Sequence, residues 1–355
     1  MTHLRHALVA LPWPEATCAG VIKHLDAERV TVCAPTDQAA ISEALATADV
    51  AVTSARVDRR FLDAPSLRWL HLDRAGIDQF APPALFENRI VTTSSGRSSP
   101  AVADQAILLL SAVSGNMRTI EVLRRRRIWS RNPLANLRAL HGRHVVVIGC
   151  GSVGTEIARR LATMGLTVTG IARRERNDPT PFERVLASPT RATLLAELAN
   201  ADVLILAAGL NDATHHLVDR SALDALGPDG IVVNVARGGM IDQRSLVQAL
   251  RDKRLAGAGL AVGEPEPLPP WSRLWTAPNT IVIPHTVPRL DARHERSAEI
   301  ICEIADTVRS GGTVERALTV DDAYTKRPPR SDLDLFCTRA WNWLALRTVR
   351  GRSDA

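Results

Sequence analysis

The segment VVVIGCGSVGTEIARRLATMG, beginning at Val145, constrains the fold more than any other stretch of the chain. Gly149, Gly151 and Gly154 stand in G-x-G-x-x-G register, directly after an apolar strand and at the opening of an amphipathic helix. Glycine is needed three times there: for the tight turn, for close backbone approach to a pyrophosphate, and for packing helix on strand. Ser152 and Val153 open the helix, whose N-terminus then faces negative charge. A second strand, LTVTGIA, follows, so the loop has the strand, helix and strand that a dinucleotide site requires.

The end of that second strand decides which dinucleotide fits. An acidic residue there would accept hydrogen bonds from the ribose hydroxyls, but this strand ends in Ala172, Arg173 and Arg174, with no carboxylate before Glu175. Arg173 lies close to the expected distance of about twenty residues past the glycines, and an arginine there suits a 2′-phosphate. NADP(H) is therefore expected in preference to NAD(H).

Around this unit, short aliphatic or β-branched runs alternate with segments of helical period. The runs are HALVAL, RVTVC, DVAVTS, LRWLHLD and RIVTTS before the loop, and ADVLILAAG, GIVVNVA, LAGAGLAVG and TIVIPH after it. Strands that are apolar almost throughout, separated by helices, belong to parallel sheets covered on both faces. The fold class is α/β, and 355 residues suit two domains.

The alternation is broken once, by a helical pattern running from about Pro100 through AVADQAILLLSAVSGNMRTIEVLRRRR to Ile128. Pro100 suits a first helical turn, and Ser98 or Ser99 can cap it. One helix of this length is expected to bridge two lobes or a subunit interface, which places a domain crossover here. A second crossover is placed near Arg289, where LDARHERSAEIICEIADTVRSGG returns after the last strand. Beyond about Val320, Lys326-Arg327-Pro328-Pro329 reads as a linker. Leu333, Phe336, Trp341 and Leu344 then share one face of a terminal helix, expected to dock on its own protein or a twin subunit.

The chain carries 44 Lys+Arg against 38 Asp+Glu, a formal charge of +6. That excess is small for the length, and only Arg124 to Arg127 form a dense basic run, so nucleic acid is not the expected partner. The apolar stretch of MTHLRHALVALPWP ends too early for a secretory signal, and no run reaches the roughly 18 apolar residues of a membrane span. Cys18, Cys33, Cys150, Cys302 and Cys337 are scattered and form no CxxC pair, so no metal site is assigned and a reducing, cytoplasmic setting is expected.

Further segments fall into a recognisable order: LHLDRAGID at Leu70, GRSSPAVADQAILLL at Gly96, the glycine loop, ADVLILAAGLNDATHHLV at Ala201, VNVARGGMID at Val233, LAVGEPEPLP at Leu260, and Pro284-His285. Over roughly residues 65–318 the chain resembles the D-isomer-specific 2-hydroxyacid dehydrogenase family, nearer its glyoxylate/hydroxypyruvate reductase branch. The resemblance implies two Rossmann-like lobes with parallel sheets, the cofactor lobe inserted into the substrate lobe. On that basis 1–102 and 289–320 would bind substrate, 103–288 would bind NAD(P), and 321–355 would be a C-terminal extension. A homodimer through the helix near 100–128 is expected as well.

The resemblance further implies NAD(P)H-dependent reduction of a 2-keto acid to a D-2-hydroxy acid, with Arg237, Glu266 and His285 as the catalytic residues. Hydride on the carbonyl carbon requires a proton on the oxygen, which a histidine can donate near neutral pH. A carboxylate beside that histidine stabilises the imidazolium and fixes the tautomer. Arg237 would bind the substrate carboxylate and polarise the carbonyl through paired donors. By the same resemblance, Ala208, Gly209, Val235, Ala236 and Ala261 contribute to cofactor binding, and the backbone amides of Ala75 and Gly76 help to hold the substrate carboxylate.

Four positions depart from the family pattern. Ala261 stands where an aspartate usually meets the nicotinamide carboxamide, Gly209 replaces a loop proline, Asp104 replaces a glutamate, and Thr286-Val287 replace small residues after the histidine. The missing aspartate would impair orientation of the nicotinamide, unless the carbonyl of Val235 or Ala236 receives the amide. It also supports an alternative, a cofactor-sensing scaffold or corepressor on the same fold. Arg74 is an unusual neighbour for the substrate loop and is read as favouring a more anionic substrate or as a solvated loop residue. Trp271 and Trp275 are expected to pack in the core or wall the pocket.

Overall fold

The computed structural model describes residues 3–78, 80–135 and 137–326, with 338, 341 and 342 beyond them. Its first strands are β1 (His6–Ala10), β2 (Arg29–Val32), β3 (Val50–Thr53), β4 (Trp69–Leu72) and β5 (Ile90–Thr93). Between them lie α1 (Glu15–Leu25), α2 (Gln38–Leu45) and α3 (Arg59–Asp63). The chain continues with α4 (Ser99–Ser114), α5 (Met117–Arg125), β6 (His144–Ile148), α6 (Ser152–Thr163), β7 (Thr167–Ala172), β8 (Arg184–Ala187) and α7 (Arg191–Ala199). It ends with β9 (Val203–Leu206), α8 (Arg220–Leu226), β10 (Ile231–Asn234), α9 (Gln243–Arg251), β11 (Gly257–Leu260), β12 (Thr280–Val282) and α10 (Arg293–Arg309).

Two parallel sheets result, in the orders β2-β1-β3-β4-β5 and β12-β11-β10-β9-β6-β7-β8. They belong to two compact units. The first comprises Met1–Ser99, Asn211–Ala213 and Arg289–Lys326; the second comprises Pro100–Leu210 and Thr214–Pro288.

In each unit the apolar runs are continuous because alternate residues of one strand enter two different cores. In β1, Ala7 and Val9 face α1 and α10, where Val21 and Leu25 meet Ile301 and Ile304. Leu8 and Ala10 face the opposite way, toward Ile41 and Phe61. The second unit repeats the pattern: Val145 and Val147 of β6 pack with α4 and α6, while Val146 and Ile148 pack with α7 and α8. Burying a Val, Leu or Phe side chain contributes about 1.5–3 kcal/mol, so covering both faces is what stabilises such strands.

The long helix expected near 100–128 is two helices. Ser111 O accepts the Gly115 amide at 2.9 Å, Asn116 adopts a left-handed conformation (φ 46), and α5 leaves α4 at 63°. Gly-Asn is a helix-stop signal, because both residues enter the left-handed region at low cost. The buried face of α4, with Ala103, Ala106, Leu109, Leu110 and Val113, ends at the same point. Of the basic run, Arg124 and Arg125 pair with Glu121 on α5 at 2.7 and 2.6 Å. No single helix among the described residues is long and apolar enough to cross a membrane.

Two further differences concern edges. Strand β8 lacks a fully buried residue and was not legible as an apolar run; pairing with β7 holds it at the sheet edge. Residues 321–326, expected to begin a separate extension, belong to the first unit: Ala323 and Tyr324 are buried, and the Tyr324 amide donates to Ala81 O at 3.2 Å. The proposed tail face falls on Leu333, Phe336 and Leu344, and the linker on Arg327, Pro328 and Pro329, all outside the described residues. Trp341 is exposed.

Candidate active site

The second sheet changes direction between β6 and β9, neighbours from which the chain proceeds to opposite sides. Ligands of open α/β sheets bind beyond the carboxyl ends of the strands at such a switch point. Gly149 follows β6 there with φ +106, and a Cβ on it would stand 2.6 Å from the Ala208 amide nitrogen after β9. A Cβ on Gly154 would collide with the Gly149 carbonyl, so helix α6 and the loop approach closely only without side chains.

Gly151 occupies the N-cap of α6 with no side-chain capping hydrogen bond, and a Cβ on it would meet nothing within 4 Å. Exposed Ser152 and half-buried Val153 follow in the first turn. Open space before an uncapped helix N-terminus suits a pyrophosphate, so these residues fit a nicotinamide dinucleotide. Ala208 and Gly209 follow β9, Val235 and Ala236 follow β10, and Ala261 follows β11, all at the same edge.

Arg173 and Arg174 are exposed directly after β7, and Ser188 Oγ donates to the Arg173 carbonyl at 2.6 Å. Sequence reasoning missed Arg176. Its Nη1 donates to the Cys150 carbonyl inside the glycine loop at 2.5 Å and to Thr155 Oγ1 at 3.2 Å, while the guanidinium lies 5.7 Å from the Phe182 ring centroid. Its place in Arg-Arg-Glu-Arg was the available signal.

His285 and Glu266 meet directly, with Nδ1 and Oε2 2.6 Å apart. His285 leaves β12 in a left-handed conformation (φ 43), its amide donating to Ala261 O at 3.1 Å and Ile283 O at 2.9 Å. Such a backbone costs on the order of 1–3 kcal/mol and persists only where the surroundings over-determine it. Glu266 Oε1 accepts the Gly263 amide at 3.0 Å. Partial burial raises the Glu266 pKa, but the His285 hydrogen bond, the Gly263 amide and the charges of His285 and Arg237 outweigh burial and hold it below its ordinary value.

Arg237 therefore acts electrostatically on the same carboxylate. Its loop is braced by Asn234, buried at the end of β10, whose Nδ2 donates to Arg237 O at 2.8 Å and whose Oδ1 accepts the Ala236 amide at 2.9 Å. Arg237 Nη1 donates to Ala236 O at 2.8 Å. A Cβ on Gly238 would overlap the Gly263 carbonyl, so this glycine lets the Arg237 loop pack against the turn that carries Glu266.

A family model for the "D-isomer specific 2-hydroxyacid dehydrogenase, NAD binding domain" matches residues 107–287. The chain belongs to the D-isomer specific 2-hydroxyacid dehydrogenase family. It is 34% identical over 225 residues to a glyoxylate/hydroxypyruvate reductase of Arabidopsis thaliana, covering 62% of this chain and 67% of the relative. A 2-ketogluconate reductase of Gluconobacter oxydans is 33% identical over 226 residues, covering 63% and 68%. The fold is also that of a D-isomer specific 2-hydroxyacid dehydrogenase from Xanthobacter autotrophicus solved with NADPH and MES, at a TM-score of 0.73 and 23% identity, covering 90% of this chain and 98% of that one. The chain is thus an oxidoreductase acting on CH–OH groups with a nicotinamide cofactor.

In this 2-hydroxyacid dehydrogenase the departures have local partners. The Ala261 methyl packs in the core beside Val233, and its carbonyl holds the His285 amide, so the position presents no polar side chain. Gly209 O accepts Thr214 Oγ1 at 2.9 Å. Asp104 pairs with Arg160 on α6 at 2.9 Å. Thr286 O accepts Gln105 Nε2 at 2.5 Å.

In the first unit, Ala75 is exposed and Gly76 half-buried in the loop after β4; the family resemblance alone assigns them to the substrate carboxylate. Arg74 is half-buried, and its Nη2 donates to Ser54 O and Ala55 O at 2.8 Å each, so it is anchored to the backbone rather than fully solvated. Trp271 and Trp275 are 60% and 44% exposed, which excludes core packing; Trp275 Nε1 donates to Pro269 O.

Proposed function

We propose that this dehydrogenase reduces a 2-keto acid to the D-2-hydroxy acid with NADP(H) in preference to NAD(H), and that Arg237, Glu266 and His285 carry the chemistry. The observation behind the assignment is the 2.6 Å contact of Glu266 with His285 Nδ1. With Nδ1–H given to the carboxylate, the Nε2–H of the imidazolium is the proton left for the substrate. The nicotinamide, when bound, supplies the hydride. His285 protonates the carbonyl oxygen, Glu266 stabilises the imidazolium and fixes its orientation, and Arg237 binds the substrate carboxylate.

Arg173 and Arg174, with no carboxylate before Glu175, favour the cofactor that carries a 2′-phosphate. Homodimerisation through the 100–128 region is supported by an exposed apolar set there and just beyond it: Leu108, Met117, Val122, Ile128, Trp129 and Leu137. Exposed large apolar side chains this frequent within about thirty residues of sequence are what an interaction site would bury.

The direct test follows NADPH and NADH consumption with glyoxylate, hydroxypyruvate, a bulkier 2-keto acid and a phosphonate-bearing one. Turnover with at least one, faster with NADPH, is expected. Tight cofactor binding with no turnover across the panel would instead favour the scaffold reading that Ala261 invites.

A further inference from the structure

Apart from the catalytic trio, the second unit gathers three metal-ligating side chains from distant parts of the sequence. His215 and His216 lie between β9 and α8, and Glu264 lies on the turn after β11, 48 residues beyond His216. Their side chains are 18%, 41% and 20% exposed. His216 Nε2 is 3.2 Å from Glu264 Oε2, and His215 Nε2 is 4.0 Å from Glu264 Oε1. One ligand atom from each residue lies within 4.8 Å of the other two.

The two imidazoles are stacked, with centroids 3.9 Å apart, and both bring Nε2 within 4.0 Å of the one carboxylate. His216 also holds a left-handed backbone (φ 52), fixed by its amide donating to Gly239 O at 2.8 Å. Two neutral imidazoles and a carboxylate form a donor set that zinc accepts, with a fourth position left for water.

We propose that His215, His216 and Glu264 bind a divalent transition-metal cation, zinc in preference. The side chains close by rotation to ligand distances of about 2.0–2.2 Å. The bound cation would tie the loop after β9 to the turn after β11. The Glu264 amide nitrogen is close to where a Gly238 Cβ would stand, so this tie adjoins the loop that presents Arg237.

Zinc chloride titrated into the full chain against a chromogenic chelator should reveal one equivalent bound per chain. His216→Gln and Glu264→Gln should each weaken that equivalent by about tenfold or more, and the double variant should lose it. Circular dichroism establishes that the variants fold. Cobalt(II) bound to the unmodified chain supplies a readout that needs no variant: visible bands of nitrogen and oxygen coordination, without the charge-transfer band of a thiolate. Equal zinc binding by the wild type and the double variant, no bound equivalent, or a thiolate spectrum would overturn the proposal.

Discussion

His285 Nδ1 and Glu266 Oε2 lie 2.6 Å apart, and the histidine arrives there from a left-handed backbone pinned by Ala261 O. The pair is held from both sides, by strand ends on one and by the Gly263 amide on the other. Glu266→Gln keeps the shape and removes the charge. We expect kcat to fall by about tenfold to a hundredfold, about 1.4–2.7 kcal/mol of transition-state stabilisation, with KM changed much less. A fall in substrate affinity at unchanged kcat would place Glu266 in binding rather than in proton transfer.

In the proposed function the arginines after β7 set the cofactor choice. Arg173→Ala should raise KM for NADPH by about tenfold, the loss of one charge-assisted hydrogen bond, and leave KM for NADH within about twofold. Steady-state kinetics with both cofactors measures this directly; equal effects on the two would contradict the assignment.

Much of this was legible in the sequence because the signals are local and periodic. The apolar runs marked eleven of the strands, and the glycine loop marked the turn at the sheet's switch point. What escaped depends on neighbours distant in sequence. Strand β8 is an edge element with only partly buried residues, so it carries no apolar run. The stop at Gly115-Asn116 was present in the letters but obscured by a longer helical period. Asn234 as the brace of Arg237 and His216 beside Glu264 are contacts that no spacing rule announces, and the Arg-Arg-Glu-Arg run marked Arg176 without showing that it reaches the glycine loop.

A buried histidine in the first unit makes stability depend on pH. His71 donates or accepts at Thr92 Oγ1 (2.9 Å) and Ser94 Oγ (3.0 Å), and burial lowers its pKa from 6.5 to about 3. The unfolded chain takes up a proton as pH falls below 6.5, whereas the folded chain resists until about 3. The stability present above 6.5 is therefore lost progressively across that window as pH falls. His71→Asn removes the titration, so its denaturation midpoint should decline less steeply with acidification than that of the wild type. Parallel declines would show that His71 does not control the response.

The exposed apolar set offers a test of assembly. Trp129 is fully exposed and Met117 half exposed. Replacing both with glutamate should convert a dimer to a monomer in sedimentation velocity, because charges placed in a buried apolar contact are costly to desolvate. An unchanged sedimentation coefficient would place any interface elsewhere.

In the proposed reaction His285 delivers the proton to the substrate oxygen. The most direct measurement is kcat of His285→Ala with a turned-over 2-keto acid and NADPH, beside the NADPH dissociation constant of the same variant. If His285 is the proton donor, kcat falls by about 10²–10⁴-fold with cofactor affinity within about twofold of the wild type. A variant that keeps its kcat while binding NADPH normally would contradict it.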